Sequence, residues 1–174
     1  LSGVCGTVFE EVCFGPMNLA MSRDEVLERA AGALDTLDIG HLAARSPNRL
    51  SGGQMQLVAI AGLLAMRPRH LVLDEPTARL DPAGTALVGG ALAALARAGS
   101  SILIAEQKTD LLARICSRVL VLEDGRIALD GPTADVLADP RLEALGVPFP
   151  SAVRLRRALD AAGVTIELPT DLVA

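Results

Sequence analysis

The chain predicts an α/β protein, and three observations carry that prediction. Apolar runs of strand length alternate with stretches whose apolar residues recur at helical spacing, and no segment repeats. The run Leu71 to Leu73 ends in the carboxylates Asp74 and Glu75, the arrangement expected where a parallel strand delivers side chains to a ligand. Further on, Asp124-Gly125 lies between Val119 to Glu123 and Arg126 to Asp130, the strongest short signal for a β-hairpin.

The elements follow in order. Ser22 and Glu25 have capping-box spacing, and Val26, Ala30, Ala33, Leu34 and Leu37 then recur on one face, so a helix is predicted over about 23 to 38. A second helix is predicted from Gly52 or Gly53 to Met66, stopped by Pro68. With the N-terminal segment these make a helical subdomain. A short buried strand is predicted at 70 to 74. Asp81 as cap and Pro82 in the first turn start a helix that ends near Gly99. Strand Ser101 to Ala105, a helix around Asp110 to Ile115 and the hairpin come next. In the tail, Ser151 is placed to cap a small surface helix reaching Gly163.

The chemistry lies in two segments. Leu50-Ser51-Gly52-Gly53-Gln54 offers two glycines that let backbone approach a phosphate. A helix starting there aims N–H groups and its positive dipole end at the oxygens, and Ser51 adds a hydroxyl. Asp74 follows Gln54 by 20 positions. One carboxylate at a strand end can hold Mg²⁺, directly or through water, and its neighbour can orient or deprotonate a water. A glycine turn before a core helix explains the first segment alone, and an acidic strand end the second. Together and at this spacing they read as half of an ATP site.

With Thr77 and Leu80-Asp81 completing the series, the chain resembles the nucleotide-binding domain of ABC ATPases: a signature motif, a Walker B strand and a D-loop in order. The resemblance implies a P-loop NTPase fold, a RecA-like ABC ATPase core with a helical signature subdomain. That core is incomplete here. The only lysine is Lys108, preceded by Ala105-Glu106-Gln107, so the P-loop pattern G-x-x-x-x-G-K-[ST] is absent from these 174 residues. In the family the Walker A motif, the adenine-stacking residue and the Q-loop glutamine lie upstream of the stretch resembling Leu1 to Pro16, and the first residue is not Met. The chain is accordingly expected to be a truncated product or fragment that begins just past the Q-loop. Its expected division is 1–69 as signature subdomain, 70–140 as the C-terminal part of the ATPase core, and 141–174 as an extension.

Three stretches narrow the resemblance to the ATPases of energy-coupling-factor and cobalt-type importers: Gly15 to Leu19, Val58 to Pro68, and Pro148 to Ala174 with Leu168-Pro169-Thr170 near its close. For the last stretch a Ser151-capped surface helix remains the alternative. The resemblance implies an ATP- and Mg²⁺-dependent ATPase subunit that powers uptake of a solute such as cobalt, nickel or a vitamin. Its partners would be a second ABC ATPase domain, a transmembrane coupling protein and a substrate-binding membrane protein, at the cytoplasmic face of the membrane. Ser51, Gly52, Gly53 and Gln54 would contact the γ-phosphate held by the facing domain's P-loop. Asp74 would serve Mg²⁺, Glu75 would be the general base, and Asp81 would couple the two sites. Two departures bear on catalysis, and Gln107 together with the absent P-loop favours the alternative of a non-catalytic half that only completes a partner's site. Gln107 stands where the family usually has a histidine, and Gln cannot carry a proton as His can. Met55 and Leu57 occupy positions that are commonly polar or basic.

Composition excludes other classes. The formal net charge is −5 and the pI near 5.0, which gives no electrostatic reason to propose nucleic acid or an anionic membrane surface. With no Trp or Tyr and three Phe, stacking on bases is not expected. Mean hydropathy is +0.41, yet the longest uncharged apolar stretches, Leu57 to Met66 and Ala83 to Ala96, are too short to span a bilayer and are read as core and interface. Cys5, Cys13 and Cys116 lack metal-ligand spacing and read as reduced thiols. His41 and His70 read as structural. No long heptads flank the signature, which sets aside a chromosome-structural ATPase.

Overall fold

A reciprocal capping box opens the first helix, α1 (Val8–Met17): the Thr7 hydroxyl accepts from the Glu10 N–H at 3.2 Å, and the Glu10 carboxylate accepts from the Thr7 N–H at 3.0 Å. The computed structural model describes residues 1–164, so the Leu168-Pro169-Thr170 stretch lies outside the described residues. The Ser22–Glu25 box starts α2 (Arg23–Thr36) as the sequence predicts. Short 3₁₀ turns at Gly40–Leu42 and Pro47–Arg49 lead to α3 (Gly52–Met66), which ends with Arg67 in the left-handed region just before Pro68. These three helices pack on one another. Val8, Val12, Val58, Leu37 and Leu42 are at most 1% exposed among them, each worth about 1.5–3 kcal/mol of apolar burial.

Strand β1 (His70–Asp74) pairs in parallel with β2 (Ser101–Ala105), in register from His70 against Ser101 to Asp74 against Ala105. Between them runs α4 (Pro82–Arg97), capped by Asp81 with Pro82 in the first turn. It packs on β2 and α3. Leu71 and Leu73 are covered, whereas Val72 is 75% and Leu103 60% exposed, because among the described residues the helices cover one face of this two-stranded sheet.

By contacts, Leu1–Ala105 forms one compact unit and the residues from Glu106 onward a second, so the expected boundaries at 69/70 and 140/141 both fall inside units. The second unit holds α5 (Thr109–Ile115), the antiparallel hairpin β3 (Arg118–Glu123) and β4 (Arg126–Pro132), α6 (Thr133–Ala138), α7 (Arg141–Ala144) and α8 (Ser151–Ala161). Asp124 and Gly125 both have positive φ, as the tight hairpin turn requires. A register shift at Val121/Leu122 leaves Ala128 as the extra residue of a bulge. The α8 helix forms where expected, but Ser151 is its first residue instead of its cap. The Asp110 carboxylate, from α5, receives the Ser151 N–H at 2.7 Å and hydroxyl at 2.9 Å and so terminates the helix from outside. No helix of the described residues is long and apolar enough to cross a membrane.

The thiols differ in environment. Burial, followed by the neighbouring Cys5 and Glu10, pushes the Cys13 thiol up, and burial does the same at Cys116, while Cys5 is half-exposed. Because the thiolate is the reactive form, iodoacetamide at pH 8 is expected to modify Cys5 faster than Cys13 or Cys116. Equal rates at Cys5 and Cys13, followed by peptide mass spectrometry, would mean that α1 does not stay packed.

Candidate functional site

The start of α3 is built by a second reciprocal box. The Ser51 hydroxyl accepts from the Gln54 N–H at 3.3 Å, and the Gln54 carboxamide oxygen accepts from the Ser51 N–H at 3.0 Å. This arrangement refines the sequence reading. The Gln54 N–H and its side-chain oxygen are spent inside the cap, so the groups left to meet an anion are the Gly52 and Gly53 N–H groups, which have no intrahelical acceptor, the Ser51 hydroxyl proton and the Gln54 amide NH₂. Ser51 is exposed and the next three residues half-buried, so the helix start is open to a ligand.

The strand end is shaped by backbone. The Glu75 N–H donates to the Ala105 oxygen at 2.8 Å, extending the β1–β2 ladder by one residue, and Glu75 then turns with φ 44°. A non-glycine residue in the left-handed region costs of order 1 kcal/mol and recurs at functional sites. Pro76 and Thr77 are buried below, and a tight turn follows, with Ala78 N–H to the Glu75 oxygen at 3.2 Å and Leu80 N–H to the Thr77 oxygen at 3.1 Å. Asp81 receives the Gly84 N–H at 2.7 Å. Its carboxylate is thus a helix cap first, with its second oxygen exposed at the rim.

Two contacts join the signature to this turn. A Cβ on Gly53 would lie 3.1 Å from the Arg79 carbonyl oxygen and 3.6 Å from Leu80 Cδ2, so only glycine fits there without displacing backbone. The second was not legible in the sequence. The Gln56 carboxamide donates to the Glu75 oxygen at 3.1 Å and to the Pro76 oxygen, and accepts from the Arg79 N–H at 3.3 Å. Its partners lie 19 to 23 positions away, beyond the reach of any local pattern.

The structure therefore places Ser51, Gly52, Gly53, Gln54, Asp74, Glu75 and Asp81 in one unit, on three segments that touch. Gln107 lies in the second unit, just before α5, with its N–H donating to Glu106 Oε1 at 2.9 Å and Lys108 N–H reaching the same oxygen at 3.2 Å. His70 sits at the opposite end of β1 from Asp74, and His41 in a 3₁₀ turn, both exposed. Asp74 presents an exposed carboxylate at the strand end, and no group of three or more His, Cys, Asp or Glu among the described residues is placed to hold a metal. That donor set fits Mg²⁺ carried mainly by water and phosphate oxygens, and not a metal in a protein cage.

The ABC transporter family model matches residues 1–78. The energy-coupling factor transporter ATP-binding protein EcfA2 of Caldanaerobacter subterraneus is 41% identical over 171 residues, 96% of this chain and 59% of that protein. The cobalt import ATP-binding protein CbiO of Rhodobacter capsulatus is 45% identical over 133 residues, 76% of this chain and 48% of that protein. The structure of cbiO1 from Clostridium perfringens, part of the ABC transporter complex cbiONQ, superposes with a TM-score of 0.67 at 34% identity, covering 87% of this chain and 61% of that one. The chain thus spans about three fifths or less of the length of these relatives. On these matches the chain belongs to the ABC transporter family, with the family model lying on the segment that carries Ser51 to Gln54 and the Asp74–Glu75 strand end.

Proposed function

We propose that the protein bearing this sequence is the ATP-binding and ATP-hydrolysing subunit of an importer, one that couples hydrolysis to uptake of a small solute such as cobalt, nickel or a vitamin. The observation that carries the reading is the single unit in which the α3 start, the Asp74–Glu75 strand end and the turn before Asp81 are bonded together. The names of two relatives, an energy-coupling factor transporter ATP-binding protein and a cobalt import ATP-binding protein, support a transport role, and the second supports cobalt among the solutes.

In this reading two such domains face head to tail. The Gly52 and Gly53 N–H groups and the Ser51 hydroxyl donate to the γ-phosphate of ATP seated on the partner domain's P-loop, and these donors gain strength as charge builds on the phosphoryl oxygens. Glu75 accepts the proton of a water as its oxygen bonds to the γ-phosphorus and the bond to the β,γ-bridging oxygen breaks, releasing ADP and phosphate. Asp74 would hold Mg²⁺, directly or through water, and the ion would supply positive charge for the phosphate oxygens. Gln107 hydrogen-bonds the γ-phosphate without moving a proton. Asp81, at the seam between the turn and α4, links one site to the other. The subunit sits peripherally at the cytoplasmic face of the membrane. A transmembrane coupling protein is its partner there. A substrate-binding membrane protein completes the assembly.

Gln107 favours a second reading, a non-catalytic half that only completes a partner's site. Steady-state ATPase assays on the assembled transporter separate the two. If Gln107 contacts the γ-phosphate, Gln107→Ala slows turnover with little change in KM for ATP, and Gln107→His retains or raises it. A Gln107→Ala transporter as fast as the parent supports the non-catalytic half.

A further inference from the structure

Glu75 can act on a water only if its carboxylate is held in one direction, and the backbone that carries it is one determinant of that direction. Glu75 is pinned on one side by β2, through the 2.8 Å bond from its N–H to the Ala105 oxygen, and it leaves the strand in the left-handed region at φ 44°. On its carbonyl side the bond comes from Gln56, on α3 two positions past the signature. The Gln56 Nε2 group donates to the carbonyl oxygens of Glu75, at 3.1 Å, and Pro76, while Oε1 takes the Arg79 N–H at 3.3 Å. One carboxamide thus bridges both ends of the turn that runs from Glu75 towards Asp81.

The chemistry singles out glutamine. The site needs two N–H donors against two carbonyls and one acceptor against an N–H, and a primary amide supplies both from one planar group. A glutamate in its place would set oxygen against the carbonyls of residues 75 and 76. An apolar side chain of the same size would leave all three backbone groups to find other partners.

We propose that Gln56 is a positioning residue for Glu75, tying the direction of that carboxylate to the signature helix of the same domain. The proposal rests on the reading of Glu75 as general base. Any shift of α3 when its Ser51–Gln54 end meets a nucleotide is carried through Gln56 to the Glu75 and Pro76 carbonyls. Hydrolysis at one site is thereby linked to the occupancy of the facing site, in which this domain's signature takes part.

The test uses the assembled transporter containing the full protein. Gln56→Met is expected to lower kcat by about 10²-fold, the scale of a small misplacement of a catalytic group, with KM for ATP changed less than about twofold. The deciding measurement is single-turnover hydrolysis in a double-mutant cycle with Glu75→Gln. If Gln56 acts through Glu75, Gln56→Met adds almost nothing in the Glu75→Gln background. Equal slowing in both backgrounds, or a raised KM at unchanged kcat, would overturn the proposal. Undiminished hydrolysis in Glu75→Gln alone would remove the general base, and the proposal with it. Should Gln56→Met fail to assemble, Gln56→Glu gives the same cycle with an isosteric side chain.

Discussion

Replacing Glu75 by Gln is expected to reduce ATP hydrolysis by about 10² to 10⁴-fold, the range typical of a positioned general base, while leaving MgATP binding intact. The substitution changes one oxygen to an amide. The Ala105 and Gln56 bonds are made to the backbone of residue 75, not to its side chain, so they persist. Loss of rate is then a loss of proton acceptance and not of fold. With MgATP binding expected to close the pair of domains and hydrolysis to open it, the variant should accumulate as a closed, ATP-bound pair. Steady-state ATPase assays and size-exclusion chromatography with and without ATP check both halves of this expectation. A variant that hydrolyses at the parental rate would dismiss Glu75 as the base.

Ser51→Arg is expected to abolish hydrolysis by the assembled transporter while nucleotide binding to the facing P-loop stays nearly intact. Removing one preorganised donor to a developing oxyanion costs about 10² to 10³ in rate, and a guanidinium at the open end of α3 also fills the space the γ-phosphate needs. The loss of the Ser51–Gln54 box costs about 1 kcal/mol of stability, which α3, packed against α1, α2 and α4, can absorb. Position 53 is a poorer probe. Gly53→Asp sets a side chain 3.1 Å from the Arg79 carbonyl, disturbing the D-loop turn of its own domain before any phosphate is present. Equilibrium binding of a fluorescent ATP analogue beside ATPase rates decides the matter: equal loss of both in an intact complex would refute the role in trans.

Much of this was written locally in the sequence. The Ser22 box, the helix start at Gly52, the Asp81-Pro82 start and the Asp124-Gly125 turn each depend on residues within four positions of one another, and each formed as predicted. The missed α1 was legible too, in Thr7 and Glu10, but ten residues with Pro16 near the end leave little periodicity to detect. What the sequence hid was tertiary. The capping of α8 by Asp110 spans 41 positions, and the grip of Gln56 on the strand end required α3 and β1 to be folded against each other first. The candidate residues themselves were readable because signature and strand end combine in a fixed order. Their mutual support was not.

The backbone at position 75 carries a further meaning. Glycine would occupy φ 44° without strain, whereas glutamate holds it at a cost of about 1–3 kcal/mol. The residue most comfortable there is one with no side chain to do chemistry. Selection for stability alone would therefore drift towards an inert turn, and a library screened only for thermal resistance would enrich substitutions at 75 that silence the protein. A carboxylate on this corner is a standing compromise between endurance and turnover, written into a single dihedral angle.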